Sequence, residues 1–310
     1  MIFLDLPRHL KTERFPAYCV YGEDAYLCAK ALEHLTALVT FCPELNLSIL
    51  TAPATAGEIA EAAQVLPMGE LRATVVREYA GKDFDAVNAY LKRPEPSNVL
   101  VFYYPGGEFP AKLKGAEPVD CRKLDAFTLT KWIRGKLSVT DDGARLLIEL
   151  CSSDMSRISA ETEKLKSYDP DGTLTAKDVR ELVAPDAEYR IYRLADAAAK
   201  GEGLQAFEML EGFIADKLPP VTLMSNISNY FRRLLYVSIN GAGGDTAAAL
   251  NVKPYALEAS ARQARSFTQR SLKRITDLLR DYEFSVKSGK MNDYGALIIA
   301  LNAIFIAQAR

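Results

Sequence analysis

Through its first 120 residues the chain alternates short β-rich runs with helical patterns, and this alternation limits what it can fold into more than any single motif does. The β-rich runs fall at 17–21, 46–50, 74–78, 98–104 and 118–121, with helical periodicity between them at 26–40, 56–65 and 84–92. Such a pattern predicts a parallel α/β sheet with crossover helices. Leu100-Val101-Phe102-Tyr103 and Thr74-Val75-Val76 are apolar or β-branched without a clean period of two, as strands covered on both faces should be. After Asp120 the strand signals stop. Short amphipathic helices are expected at 127–137, 141–151, 155–168 and 176–183, the last opened by a Thr175-Ala176-Lys177-Asp178 capping box. A second helical block is expected at 191–199, 204–214, 221–239, 246–250, 255–266, 268–287 and 293–308, with breaks at Ala184-Pro185-Asp186 and Asn240-Gly241-Ala242-Gly243-Gly244-Asp245. The fold class is therefore α/β plus all-α, in three expected domains: 1–123 (α/β), 124–184 (small helical) and 185–310 (larger helical).

The first strand runs into the first long helix through Tyr21-Gly22-Glu23-Asp24-Ala25-Tyr26-Leu27, where a nucleotide-binding protein would carry its phosphate loop. A phosphate cradle needs glycines that let backbone N–H groups close on the anion, a Lys for the β/γ-phosphates and a Ser/Thr hydroxyl for Mg²⁺. This turn instead holds two acids and no lysine. Glu23 and Asp24 suit a helix N-terminus as caps, and their charge repels a phosphate at the same end. Elsewhere, Gly81-Lys82 is followed by Asp83, Gly135-Lys136 by Leu137 and Gly289-Lys290 by Met291, so no Walker motif exists. Gly201-Glu202-Gly203-Leu204-Gln205-Ala206 matches the dinucleotide fingerprint only as text, because it joins two expected helices.

Other chemistry is equally sparse. The two histidines, His9 and His34, and the five cysteines, Cys19, Cys28, Cys42, Cys121 and Cys151, offer no close ligand pair for zinc. The cysteines stand among apolar neighbours and read as reduced core thiols. No metal or cofactor is expected. Asp141-Asp142 and Asp169-Pro170-Asp171-Gly172 are explained by helix-start and turn chemistry. No apolar run reaches the ~18 residues of a membrane span, and Met1-Ile2-Phe3-Leu4-Asp5-Leu6-Pro7-Arg8 lacks a signal-peptide pattern, so the cytoplasm is the expected compartment and no membrane the expected partner. Net charge is −2, which points to no global attraction for nucleic acid. Locally, Arg262, Arg265, Arg270, Lys273, Arg274, Arg280, Lys287 and Lys290 are interspersed with only Asp277, Asp281 and Glu283. That stretch is either a solvated helix face or a phosphate-tracking surface.

One loop stands out. Val65-Leu66-Pro67-Met68-Gly69-Glu70-Leu71-Arg72 puts aliphatic residues, a Pro and a Met between a helix and the third strand, where a polar surface loop is expected. Either Leu66 and Met68 fold back on the sheet as a lid, or they form an apolar tip for a partner's pocket, a use that suits adaptable Met.

Several stretches together resemble the delta subunit of the bacterial DNA polymerase III clamp loader. Tyr21-Gly22-Glu23-Asp24-Ala25-Tyr26-Leu27 is similar to that family's opening motif, and Ser153-Asp154-Met155-Ser156-Arg157-Ile158-Ser159-Ala160-Glu161-Thr162-Glu163-Lys164-Leu165 to a helix of its second domain. Leu174-Thr175-Ala176-Lys177-Asp178-Val179, Ile191 to Lys200, Tyr230-Phe231-Arg232-Arg233-Leu234-Leu235, Asn251-Val252-Lys253-Pro254-Tyr255 and Val286-Lys287-Ser288-Gly289 continue the match in order. The resemblance implies an AAA+-like α/β domain without a functional phosphate loop, a small helical lid and a C-terminal helical collar. It implies a subunit of the DNA-directed DNA polymerase (nucleotidyltransferase) holoenzyme with no catalysis of its own, which binds and opens the sliding clamp for loading onto primed DNA. The implied partners are the clamp, the gamma/tau ATPase and delta-prime subunits through the collar, and primer-template DNA within the assembly. The family's clamp-contacting apolar pair sits just before the third strand, which here maps to Pro67, Met68 and Gly69. Gly69 departs from that pattern by having no side chain, leaving Leu66 or Leu71 to supply apolar surface. Arg262, Arg265, Arg270, Lys273 and Arg274 are the candidate DNA or phosphate contacts. The residues also leave open a nucleotide-binding ATPase with an irregular phosphate loop, and a DNA-binding protein that uses the basic C-terminal helices.

Overall fold

A computed structural model describes residues 1–51, 54–250, 254–291 and 293–308. After a 3₁₀ turn (Phe3–Asp5) the chain forms α1 (Leu6–His9), β1 (Ala17–Gly22), α2 (Ala25–Thr36), α3 (Pro43–Asn46), β2 (Leu47–Leu50), α4 (Ala56–Ala63), β3 (Arg72–Arg77), α5 (Asp85–Tyr90), β4 (Asn98–Pro105) and β5 (Glu117–Asp120). Helices follow as α6 (Ala126–Lys136), α7 (Asp141–Leu150), α8 (Met155–Tyr168), α9 (Ala176–Leu182), α10 (Ala187–Lys200), α11 (Gly203–Ala215), α12 (Pro220–Asn240), α13 (Gly244–Leu250), α14 (Pro254–Ala264), α15 (Gln269–Lys287) and α16 (Asp293–Gln308). These elements gather into two compact units, Met1–Ile148 with Ser153–Val179, and Glu149–Ser152 with Arg180–Arg310.

In the first unit five parallel strands lie in the order β2-β3-β4-β1-β5. The α/β plus all-α class read from the sequence is the observed one, and each strand lies within two residues of its expected place. β4 and β3 are buried on both faces at Val99, Leu100, Val101, Phe102, Val75 and Val76, which is why their sequences run apolar without alternation. One face packs Ile59, Ala60 and Ala63 of α4 and Val87 and Tyr90 of α5 on Cys19, Leu100 and Phe102. The end of α4 is fixed to the sheet by polar groups. The Ala63 carbonyl accepts from the buried Asn98 amide at 2.9 Å and from the Tyr90 hydroxyl at 2.9 Å, while the Thr74 hydroxyl donates to Asn98 Oδ1 at 3.3 Å. Satisfied this way, the last turn of α4 launches the apolar loop from a rigid point.

The sheet and helices α6 and α8 share this unit. Asp125 and Asp154 cap α6 and α8 by accepting from Thr128 N–H at 2.7 Å and Arg157 N–H at 2.8 Å, and the Tyr26 hydroxyl of α2 donates to Ser159 Oγ of α8 at 2.7 Å. The expected capping box is present: Thr175 N–H donates to the Asp178 carboxylate at 2.8 Å, and Asp178 N–H donates back to Thr175 Oγ1 at 3.5 Å.

The second unit is all helix. Leu223, Met224, Ile227, Phe231 and Leu234 of α12 are its buried spine, packed with Leu194, Leu210, Leu272, Ile275, Leu279, Leu297 and Leu301. Gly201 ends α10 in the left-handed conformation, φ 77°, where a side chain is strained. The Asn251-Val252-Lys253 stretch of the family match lies outside the described residues. Among the described residues no helix is long and apolar enough to cross a membrane.

Candidate functional site

Parallel α/β sheets bind ligands beyond the carboxyl ends of their strands. At that edge, β1 passes through Gly22 into α2, and the corner is closed by the chain itself. Gly22 has φ 139°, and a Cβ on it would lie 2.3 Å from the Cys121 carbonyl carbon and 2.6 Å from Arg122 N. Asp24 N–H donates to the Cys121 carbonyl at 3.1 Å, and Gly106 N–H donates to the Gly22 carbonyl at 2.7 Å. Asp24 then caps α2, its carboxylate accepting from Leu27 N–H at 3.0 Å. Glu23 is exposed. Arg122, beside the turn, is held by Asp120, whose two oxygens its Nε reaches at 3.0 Å. That hydrogen bond from Arg122 keeps the Asp120 carboxyl below its ordinary range. The helix end that would meet a phosphate therefore has one of its free donors capped by an acid, and the arginine beside it is engaged. Under it, burial pushes the Cys19 thiol up to about 12, and a hydrogen bond to Cys28 together with burial pushes Cys121 upward. Among the described residues no group of three or more His, Cys, Asp and Glu side chains is placed to hold a metal ion.

The opposite edge of the sheet carries the apolar loop. Leu66 is 67% exposed and Met68 63% exposed, so they do not fold back over the sheet as a lid. Pro67 is half-buried and Gly69 and Glu70 are exposed. Leu71 is buried: it is the residue that leads into β3, and its side chain turns into the core. It supplies none of the exposed apolar surface expected of it. Gly69 has φ 147°, and a Cβ there would stand 2.9 Å from Cδ1 of Phe41. Phe41, from the segment before α3, is 58% exposed and Leu45 54% exposed. Asn46, fully buried, joins the two segments. Its amide donates to the Phe41 carbonyl at 2.9 Å and the Met68 carbonyl at 3.4 Å, and its Oδ1 accepts from Met68 N–H at 2.8 Å. Arg72 adds a second tie, Nη1 donating to the Leu45 carbonyl at 2.9 Å and Nη2 donating to Ser48 Oγ.

Sequence reading missed Phe41 and Asn46. Asn46 reads as the start of a strand, and only its complete burial as a polar side chain marks it as a joint.

On the second unit, Arg262, Arg265, Arg270, Lys273 and Arg274 are exposed, and none of the five enters an ion pair among the described residues. Further along α15, Arg280 pairs with Asp277 and Asp281, and Lys287 with Glu283. Arg270, Lys273 and Arg274 share one helix face by their spacing.

The fold defines a class of protein. The chain superimposes on a solved Bacillus subtilis DNA clamp loader delta protein (YqeN) with a TM-score of 0.75, at 24% identity and over 98% of this chain and 99% of that one. It is also 25% identical over 312 residues to DNA polymerase III subunit delta of Bacillus subtilis (strain 168), covering 90% of each sequence. Residues 188–303 match the family described as DNA polymerase III delta subunit, C-terminal domain. The chain thus resembles the delta subunit of the bacterial DNA polymerase III clamp loader along its length, as its motifs imply.

Proposed function

We propose that the chain is a clamp-loader subunit that binds and opens a ring-shaped sliding clamp for loading onto primed DNA, and that it catalyses nothing itself. The observation that carries this reading is the exposure of Leu66 and Met68 on a loop anchored at both ends, by Asn98 and Tyr90 behind it and by Asn46 beneath it. Each of the two side chains is worth roughly 1.5–3 kcal/mol when fully buried, and anchoring the loop in advance lowers the ordering cost of binding. The clamp contact comprises Leu66, Pro67, Met68 and Gly69. The closed corner at Gly22 supports control by ATP bound to partner subunits and speaks against the alternative of an ATPase with an irregular phosphate loop. Docking to the ATPase (gamma/tau) and delta-prime subunits falls to the C-terminal domain from residue 185, where Ile298, Ile299 and Ile306 of α16 are exposed apolar residues. The five cations from Arg262 to Arg274 then serve primer-template DNA within the assembly. The division 1–123, 124–184 and 185–310 gives the clamp-binding, lid and collar parts of this scheme, set in the cytoplasm.

The test is a titration of the full chain against a purified sliding clamp. Leu66→Ala combined with Met68→Ala should weaken binding at least about tenfold, with the thermal unfolding curve unchanged because both side chains are exposed. Wild-type affinity in that double variant would refute the assignment of the loop.

A further inference from the structure

The glycine at position 69 looks like a defect in an apolar tip until its surroundings are considered. Two facts fix it there. Its φ of 147° is strained for any residue with a Cβ, and the space a side chain would enter is held by the Phe41 ring, 2.9 Å from that Cβ position. Phe41 is itself 58% exposed, so its ring fills the gap beside Gly69 and still faces solvent.

We infer that the clamp-binding tip is built from two loops: Phe41 supplies the bulky side chain that Gly69 lacks, and Asn46 holds the two loops in register. This rests on reading Leu66 and Met68 as clamp contacts. Phe41 and Leu45 are exposed apolar residues on the segment that Asn46 ties to Met68, and Glu44 and Glu70 are exposed, one on each loop. The fitting site on the clamp is an apolar pocket with a basic rim.

The Phe41 segment is stiff. Cys42 adopts φ 42°, rare for a residue other than glycine, and Pro43 fixes the backbone after it. Asn46 then acts as a positioning residue: its amide and carbonyl oxygen meet the Phe41 carbonyl and both backbone polar groups of Met68. Removing it leaves Met68 N–H and the Phe41 carbonyl without their partner, which frees the two loops to separate. A single loop bearing Leu66 and Met68 offers two flexible aliphatic side chains. The second loop adds a large aromatic surface with few rotamers to freeze, the kind of residue that dominates interface energetics.

The experiment uses the full chain and a purified ring-shaped sliding clamp, with Phe41→Ala, Asn46→Ala, Asn46→Asp and the Leu66→Ala/Met68→Ala double variant. Phe41→Ala should weaken binding at least about tenfold without changing the unfolding curve. Asn46→Ala should weaken binding comparably and speed hydrogen exchange at the Met68 amide. Asn46→Asp, which keeps the acceptor for Met68 N–H, should fall between it and wild type. Adding Phe41→Ala to Asn46→Ala should cost less than the two effects multiplied, since both act through one surface. If Phe41→Ala binds like wild type while the Leu66/Met68 double variant loses affinity, the two-loop tip is wrong and the clamp reading stands. If Asn46→Ala lowers thermal stability but leaves affinity intact, Asn46 is structural and not a positioning residue. If neither loop's variants change affinity, the clamp reading fails and the inference fails with it.

Discussion

Gly22 is where the scaffold gives up its phosphate site, and its replacement by alanine has a calculable cost. The residue sits at φ 139°, and a Cβ would overlap backbone atoms, at 2.3 Å from Cys121 C, 2.5 Å from Cys121 O and 2.6 Å from Arg122 N. The φ value alone costs about 1–3 kcal/mol for a residue with a side chain. The overlap adds roughly another 1–3 kcal/mol, because backbone cannot rotate out of the way as a side chain would. Gly106 provides the control: its φ is 76°, but nothing lies within 4 Å of its Cβ position. Gly106→Ala therefore carries only the strain of a left-handed residue, about 1–2 kcal/mol. The chain has a single tryptophan, Trp132, and it lies in the first compact unit, so its fluorescence during urea unfolding reports on the unit that contains Gly22. That choice matters because two compact units need not unfold together. Gly22→Ala should unfold at lower urea than Gly106→Ala, by the equivalent of at least about 1 kcal/mol at an unchanged slope. Coincident midpoints would show that the Cys121–Arg122 backbone gives way freely, and the argument that the chain itself closes this corner would fall.

Further outcomes are expected. Asp24→Ala removes the cap on α2, which should cost about 0.5–2 kcal/mol in the same urea experiment. It should not create nucleotide affinity, and micromolar binding of labelled ATP by either protein in equilibrium dialysis would revive the ATPase alternative. Burial holds the Cys19 thiol near about 12, above the ~8.5 of an unfolded thiol. The fold therefore favours the neutral form: its contribution is complete below the unfolded value and is lost as pH rises towards the folded one. Stability should decline on the alkaline side. At pH 8 brief alkylation followed by mass spectrometry should modify half-buried Cys42 first and leave Cys19, Cys28, Cys121 and Cys151 unmodified until the protein unfolds. Early labelling of Cys19 would contradict its burial.

What the sequence reveals and what it hides follow from the range of the interactions involved. Strands such as Leu100-Val101-Phe102 declare themselves because burial on both faces is a local property of composition. The loop from Val65 to Leu71 was legible for the opposite reason, as apolar residues where polar ones belong. Its exposure was not legible, since a lid and a tip have the same sequence, and Leu71 shows that one residue of such a loop can turn inward while Leu66 and Met68 turn out. The one-turn helix α3 was hidden because four residues carry no periodicity, and Asn46 at its end passes for the first residue of a strand.

Phe41 was hidden more deeply, because its relation to Gly69 is set by strand order. β2 and β3 are parallel neighbours with Leu47 opposite Ala73, so the segments that lead into them emerge side by side at the amino-terminal edge of the sheet. Parallel pairing of this kind always brings two lead-in loops together, however far apart they are in sequence. An apolar residue in one such loop then has the other loop as its neighbour. The missing side chain at Gly69 has to be read against Phe41, the residue that the sheet places beside it.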